Sequence, residues 1–436
     1  MNMLNEEQNA VVNAIASMQG GDRLVVSGRA GSGKTYAIAN SVLDRKALFL
    51  TPTHPARSVL DQELPDKRHK VMTIHSAIGW YRHRDNDLEA VEGYRPAKKA
   101  DRGVGSTSAF AKADIIIVDE FSMVGSFLFR AVEEYANEFG LPVVYSGDRF
   151  QLPPVQDREV ITKQGFPTIT LNKSMRFSED SEIFKLGELL RDAIENRPTD
   201  DLPCLFDRDA VRVVPGQTWM DGLTSEYSRG GNLHAVTADN ETLRRLRHKV
   251  RQVDHDRLCA GDVVMSKQTD DQFRNGEQLT IQHVERSTHI LSDVPGCLSR
   301  SHELKVPGYA LGFDGTNQIA FVLEREKDAD KLSKRIHGLY EGGKLDFDEA
   351  GRVLDWLDGI NRFELAALAT VHKSQGRSVN TVYIDTGTVL RKPHWLSPIT
   401  HKRLLYTAVT RARKEVVFYQ MPTYCTADEE NLLLAA

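Results

Sequence analysis

The most regular feature of the chain is a series of short, wholly apolar runs, each closed by a polar turn. Leu24–Ser27 runs into a glycine-rich turn, Ala47–Leu50 ends at Thr51-Pro52-Thr53, Ile115–Val118 ends at Asp119-Glu120, and Leu141–Tyr145 ends at Gly147-Asp148. Helix-prone stretches separate most of these runs. The first helix is predicted to start at Asn5, three residues before Gln8, and to carry Val11, Val12 and Ile15 until Gly20 and Gly21 stop it. Apolar strands alternating with helices predict a parallel sheet covered on both faces, because a strand buried on both sides has no polar alternation. The polar residues gather just past the strand C-termini, the edge at which such sheets bind ligands.

The pattern breaks twice. Residues from about 79 to 112 are polar and basic, with Trp80, Tyr81 and Tyr94 among them, and read as an inserted hairpin. From about 260 to 363 the runs Gln278–Val284 and Gln318–Leu323 are strand-like, and Lys327–His337 is a charged helical piece. The sheet pattern returns at Leu365–Val371 and Val379–Ile384, and no internal repeat motif is visible. The expected fold is α/β, with two parallel-sheet cores that each carry an insert. The first core is expected at 1–78 and 113–175 with its insert at 79–112, and the second at 176–259 and 366–436 with its insert at 260–365.

Composition narrows the function. A net charge of -5 over 436 residues argues against a uniformly basic nucleic-acid coat but leaves local clusters of the 56 Lys and Arg free to meet phosphates. Cys204, Cys259, Cys297 and Cys425 form no CxxC pair, which argues against a structural zinc or a disulfide framework and favours a reducing cytoplasm. The N-terminus lacks a secretion-signal layout, and the longest aliphatic runs are too short for a bilayer. A soluble cytoplasmic protein with no membrane partner is expected.

Gly28-Arg29-Ala30-Gly31-Ser32-Gly33-Lys34-Thr35 matches GxxxxGK[ST], between a predicted strand and a predicted helix. Glycines let backbone N–H groups wrap phosphates, and the helix start adds its positive dipole end. Lys34 is expected to reach the β- and γ-phosphates of ATP, and the Thr35 hydroxyl to ligate Mg2+. Asp119 would hold that ion through water, and Glu120 would position and deprotonate the attacking water. Gln151, just past the fourth run, could sense the γ-phosphate; the plainer reading is a proline-stiffened surface turn.

These residues, in this order, resemble superfamily 1 helicases, and their phrasing is most similar to the B group of RecD- and Dda-type enzymes. The resemblance rests on GRAGSGKT at 28–35, TPTHPA at 51–56, TIHS at 73–76, IIIVDEFSM at 115–123, GDRFQLPPV at 147–155, ATVHKSQGRS at 369–378 and LLYTAVTRAR at 404–413. It covers most of the chain, the two inserts least well. It implies two RecA-like domains with ATP between them, a pin hairpin in the first and a β-rich, SH3-like insert in the second. On that footing Gln8 is an adenine contact as well as a helix cap, Gly376 joins the P-loop residues as a nucleotide contact, and Gln151 is the coupling glutamine. Arg411 is an arginine finger from the second domain and Arg176 another, although the residue after Arg176 departs from the RecD-type pattern. Arg29 departs from the small residue usual at its position.

The resemblance also implies a track for single-stranded DNA. Its candidates are Thr51, Thr53, His54, Thr73, His75 and Ser76 in the first core and Thr370, His372, Lys373, Ser374 and Gln375 in the second, since hydroxyls and one Lys can hold phosphates without reading sequence. Turn chemistry, with Ser and Thr bonded to local backbone, is the competing reading. The aromatic and basic insert at 79–112 would stack on a base at the fork, with a mobile surface hairpin that packs Trp80 into the core as the equally open reading. The basic run Arg244, Arg245, Arg247, Lys249 and Arg251 reads first as a solvated helix face. The expected activity is an ATP-dependent, 5′-to-3′ DNA helicase acting as a monomer on single-stranded and fork DNA. A single-strand-binding, replication or recombination protein is the kind of protein partner that would fit. A translocase that strips bound proteins, an RNA-directed motor and a non-motor P-loop switch stay open as alternatives.

Overall fold

The computed structural model describes residues 4–419 apart from 65, 67, 95–107, 156, 176–177, 179, 204–206, 269, 271 and 395. The first core is built on β1 (Arg23–Gly28), β2 (Ala47–Thr51) and β3 (Lys70–Thr73). After a hairpin of β4 (Trp80–Arg84) and β5 (Ala90–Tyr94), it continues with β6 (Ile115–Val118), β7 (Val143–Gly147) and β8 (Thr168–Leu171). Six of these strands form one parallel sheet in the order β3-β2-β6-β7-β1-β8. Every residue of β2, β6 and β7 is buried, as unbroken apolar runs require. The first helix, Glu6–Ser17, packs Val11 and Ile15 with Ala37 and Ile38 of the helix after β1. The strand expected at Leu141–Tyr145 begins two residues later, beyond Pro142, which has no N–H to give to a ladder.

The second core starts with β9 (Val211–Val214) and β10 (Leu233–Thr237). An inserted antiparallel sheet follows: β11 (Val263–Ser266), β12 (Gln278–Ser292), β13 (Glu303–Phe313), β14 (Ile319–Leu323) and β15 (Phe363–Leu365). The core then closes with β16 (Leu368–Thr370), β17 (Val379–Ile384) and β18 (Ala412–Tyr419), in a parallel sheet ordered β16-β10-β17-β18-β9. The single run expected at Leu365–Val371 is therefore two strands in two sheets. β15 pairs antiparallel with β11 and β16 pairs parallel with β10, and the chain passes from insert to core between them.

Two compact units result. One holds both parallel sheets; the other holds residues 80–95 and 255–366. In the second unit the helices Glu326–Glu341 and Phe347–Asp358 accompany the antiparallel sheet; the first spans the charged helical piece expected at Lys327–His337, and the second was not anticipated. The hairpin belongs to this unit. Leu88 at its turn is fully buried among Val294, Leu298, Val353 and Leu354. Arg84 pairs with Asp355 at 3.0 Å and Asp358 at 2.6 Å, and Tyr340 donates from its hydroxyl to the Asn86 carbonyl at 2.7 Å. Among the described residues no helix is long and apolar enough to cross a membrane.

Candidate nucleotide site and nucleic-acid face

The loop after β1 turns on Gly31 (φ 77°) and Gly33 (φ 78°), both in the left-handed region that side chains avoid. Gly33 caps the helix Lys34–Ser41, and a Cβ there would collide with the side chain of Gln8. Lys34 Nζ donates to the carbonyls of Gly28 (2.8 Å) and Arg29 (3.0 Å), which holds the ammonium across the mouth of the loop. The Ser32 hydroxyl is buried with no hydrogen-bond partner among the described residues. A cradle of this kind, with a cation at its mouth and a polar group to spare, fits a polyphosphate. Gln8 serves two neighbours. It completes a capping box with Asn5, and its Nε2 donates to the Ser32 carbonyl at 3.4 Å.

Asp119 continues from β6, its N–H donating to Leu50 O at 2.8 Å. Glu120 then adopts φ 55°, ψ 48°, a left-handed backbone that costs a non-glycine residue about 1 kcal/mol or more and turns the chain sharply at the strand end. Burial pushes both carboxyls above the ordinary range. For Asp119 the Lys34 ammonium and the nearby Ser146 hydroxyl oppose the rise; for Glu120 the Asp119 charge adds to it and the Arg411 guanidinium opposes it. Lys34, Asp119, Glu120 and Arg411 thus share one electrostatic neighbourhood.

The segment after β7 locks into the second core. Asp148 accepts the Tyr406 hydroxyl at 2.6 Å, Leu152 N–H donates to Thr407 Oγ1 at 3.0 Å, and Gln375 Nε2 donates to Leu152 O at 3.2 Å. Phe150 and Leu152 bury their side chains in the second core's apolar cluster. Gln151, between them, is 3% exposed, and its Oε1 has no hydrogen-bond partner among the described residues. Arg411 is 3% exposed and is aimed by bonds to the carbonyls of Thr407 (3.2 Å) and Arg377 (3.3 Å). Gly376 (φ 73°) lies against the helix His54–Glu63 of the first core, where a Cβ would come within 2.9 Å of Ala56 Cβ. Arg176 lies outside the described residues.

The candidate nucleic-acid residues sit at strand ends, and most of their hydroxyls are engaged locally. Thr51 donates to Thr53 O at 3.0 Å, and Thr53 caps the next helix through Ala56 N–H at 3.4 Å. Thr73 donates to Ser76 Oγ at 2.9 Å and accepts Ser76 N–H at 3.2 Å, while Ser374 donates to Val371 O at 2.8 Å. His54 and His372 are pushed below the usual histidine range, first by burial in each case and for His54 also by the charges of Arg57 and His75. These hydroxyls therefore serve the local turns and helix caps.

Sequence reasoning passed over Asp148, Tyr406 and Thr407, although all three lie inside the quoted motifs. Their partners are 258 and 255 positions away, a separation that no local pattern signals.

Comparison with known proteins agrees with this architecture. Residues 3–215 match the AAA domain family and residues 365–419 match the UvrD-like helicase C-terminal domain. Together with the fold and the motif set, these matches support a superfamily 1 helicase. Within that class the overall fold is similar to that of a Pif1 helicase solved in work on unwinding of forked duplex DNA by two coordinating Pif1 helicases. The TM-score is 0.52, with 18% identity and coverage of 100% of this chain and 98% of that one. A Bacteroides Pif1 helicase in complex with ADP-AlF3 and single-stranded DNA aligns with a TM-score of 0.47 at 18% identity, covering 100% and 98%. An uncharacterised protein of Acanthamoeba polyphaga mimivirus is 21% identical over 478 aligned positions, 90% of this chain and 94% of that protein.

Proposed function

We propose that this chain is an ATP-dependent DNA helicase of the B group, moving 5′-to-3′ on single-stranded DNA and parting the duplex at a fork. The observation that carries the reading is the meeting of two cores at one cluster: Lys34, Asp119 and Glu120 from the first and Arg411 from the second, with Gln151 on the segment that joins them.

In this reading Gly28, Ala30, Gly31, Ser32 and Gly33 cradle the triphosphate, and Lys34 moves from its loop carbonyls to the phosphates. Thr35 and Asp119 would hold Mg2+, which when bound draws charge from the phosphates. Glu120, flanked by Asp119 and steadied by Arg411, accepts the proton of the attacking water. Arg411 neutralises the transferring phosphoryl group, and because it comes from the other core, hydrolysis requires both cores to be in place. Gln151 senses the phosphate from a segment gripped by the second core, so the chemistry is felt by both sheets. Single-stranded DNA then runs over the strand ends at Thr51–His54, Thr73–Ser76 and Thr370–Ser374. The hairpin Trp80–Tyr94 serves as the separating pin. Stacking worth roughly 1–3 kcal/mol per base can offset much of a duplex step of about 1.4 kcal/mol.

The test is ATP- and Mg2+-dependent unwinding of two duplexes, one with a 5′ and one with a 3′ single-stranded tail, with Lys34→Ala as control and ATPase read in parallel. Unwinding of the 5′-tailed duplex alone is expected. Preference for the 3′ tail would sink the B-group assignment, and ATPase stimulated only by RNA would redirect the motor.

A further inference from the structure

Arg29 occupies the second position of the phosphate loop, where a small residue is usual, and its side chain leaves the loop altogether. Its NH1 pairs with Glu188 Oε1 at 3.0 Å, and its guanidinium lies 4.7 Å from the centre of the Phe184 ring. Only 11% of the side chain is exposed. Both partners sit on the helix Glu182–Asn196, whose Ile183, Leu186, Leu190 and Ile194 are buried in the second core's apolar cluster. Arg191 on the same helix stands 3.7 Å from the same Glu188 oxygen and stacks 4.3 Å over Phe150, next to Gln151. Meanwhile the Arg29 backbone carbonyl accepts Lys34 Nζ at 3.0 Å. One residue thus touches the P-loop lysine through its backbone and the second core through its side chain.

We propose that Arg29 and Glu188 form a coupling strap: Arg29 is a positioning residue through which the second core sets the phosphate loop for hydrolysis. The strap rests on the helicase reading above. A polar pair at this place has geometric reach that a small residue lacks. It ties the loop directly to the helix that packs against the Gln151 segment, so a shift of that helix changes the carbonyl that holds Lys34. The expected signature is a loss of communication and not of nucleotide binding.

The experiment compares the full chain with Glu188→Gln, Arg29→Ala and the charge exchange Arg29→Glu with Glu188→Arg, measuring ATPase with and without oligo-dT and checking the melting temperature of each. Glu188→Gln is expected to lower the oligo-dT-stimulated kcat by about fivefold or more while the KM for ATP and the unstimulated rate stay within about twofold. The charge exchange is expected to recover a substantial part of the stimulation that each single change removes. A stimulated kcat that Glu188→Gln leaves unchanged would overturn the strap. Equal loss in singles and exchange, or a rise in KM with no change in kcat, would also overturn it, because general packing damage predicts those results. A wild-type ATPase indifferent to oligo-dT would fail the helicase reading first, and that outcome is distinguishable because it needs no variant.

Discussion

The two cores have the same wiring and different contents. The first sheet runs β3-β2-β6-β7-β1 before its outer β8, and the second runs β16-β10-β17-β18-β9. In chain order β1 corresponds to β9, β2 to β10, β3 to β16, β6 to β17 and β7 to β18. The likeness extends to single residues. Thr51 pairs in register with Thr73, and Thr237 with Thr370. Thr51 donates to Thr53 O at 3.0 Å, and Thr237 to Asp239 O at 2.9 Å. Asp119 N–H donates to Leu50 O at 2.8 Å, and Asp385 N–H to Val236 O at 2.9 Å. The contents differ where chemistry is expected. After β9 the helix Gly216–Ser228 begins directly from Pro215, with no loop to cradle a phosphate. Asp385 spends its carboxylate on a helix cap, accepting Thr388 N–H at 2.9 Å and its hydroxyl at 2.8 Å. A frame used twice separates scaffold from candidate site: features common to both cores hold the strand ends together, and features they do not share, the phosphate loop and Glu120 in the first and Arg411 in the second, mark the residues proposed to hydrolyse ATP.

The largest effects should therefore fall on residues the cores do not share, beginning with those of the first core. Lys34→Ala is expected to reduce ATP turnover by about 10³-fold or more, measured as phosphate release with oligo-dT present. Glu120→Gln is expected to bind nucleotide and DNA with near-normal affinity and to hydrolyse about 10²-fold more slowly. Unchanged turnover in the second variant would remove Glu120 as the base. Loss of binding instead of turnover would assign it to substrate positioning.

A middle-sized effect sits in the second core. His234 of β10 stands where Leu48 stands in β2, and it is fully buried. Burial, with the charge of Arg377 adding to it, pushes its pKa down to about 3. Unfolding restores the ordinary value near 6.5, so the unfolded chain binds the extra proton between those limits. Stability is unaffected by this group above about pH 6.5 and falls as pH drops from there toward 3. By pH 5 the loss is roughly 2 kcal/mol relative to pH 7. His234→Leu, which copies the first core, should remove that part of the acid sensitivity in urea titrations at the two pH values. An identical pH slope in both proteins would refute the assignment.

His234 also explains what the sequence concealed. β10 reads LHAVT, and the histidine breaks the apolar run that made β2 and β6 legible. β9 carries Arg212 and β18 carries Arg413, Lys414 and Glu415, so neither reads as a strand buried on both faces. The repeat was hidden for the same reason: β2 and β10 share a terminal threonine and little else. The P-loop motif and the Asp119-Glu120 pair stand out in the sequence because the chemistry proposed for them demands particular residues at short spacing. The grip of Tyr406 on Asp148, the Arg29–Glu188 pair and the seating of the hairpin against the helix Phe347–Asp358 do not, because long-range packing leaves no local signature.

The smallest effect makes the sharpest use of the comparison, because it sets two aspartates in equivalent places against each other. Asp385→Ala removes the acceptor from Thr388 N–H and is expected to cost about 1 kcal/mol of stability, the usual price of a lost helix cap, with ATPase little changed. Asp119→Ala is expected to do the reverse. Its carboxyl is buried beside Lys34 and Glu120, so removing it relieves a desolvated charge and leaves stability near or above wild type while turnover collapses. Urea midpoints and ATPase rates on the two variants decide the matter. If Asp385→Ala also abolished turnover, its cap would have to be counted in the hydrolytic machinery, and the division of the two cores into frame and site would fail at the position where they match most closely.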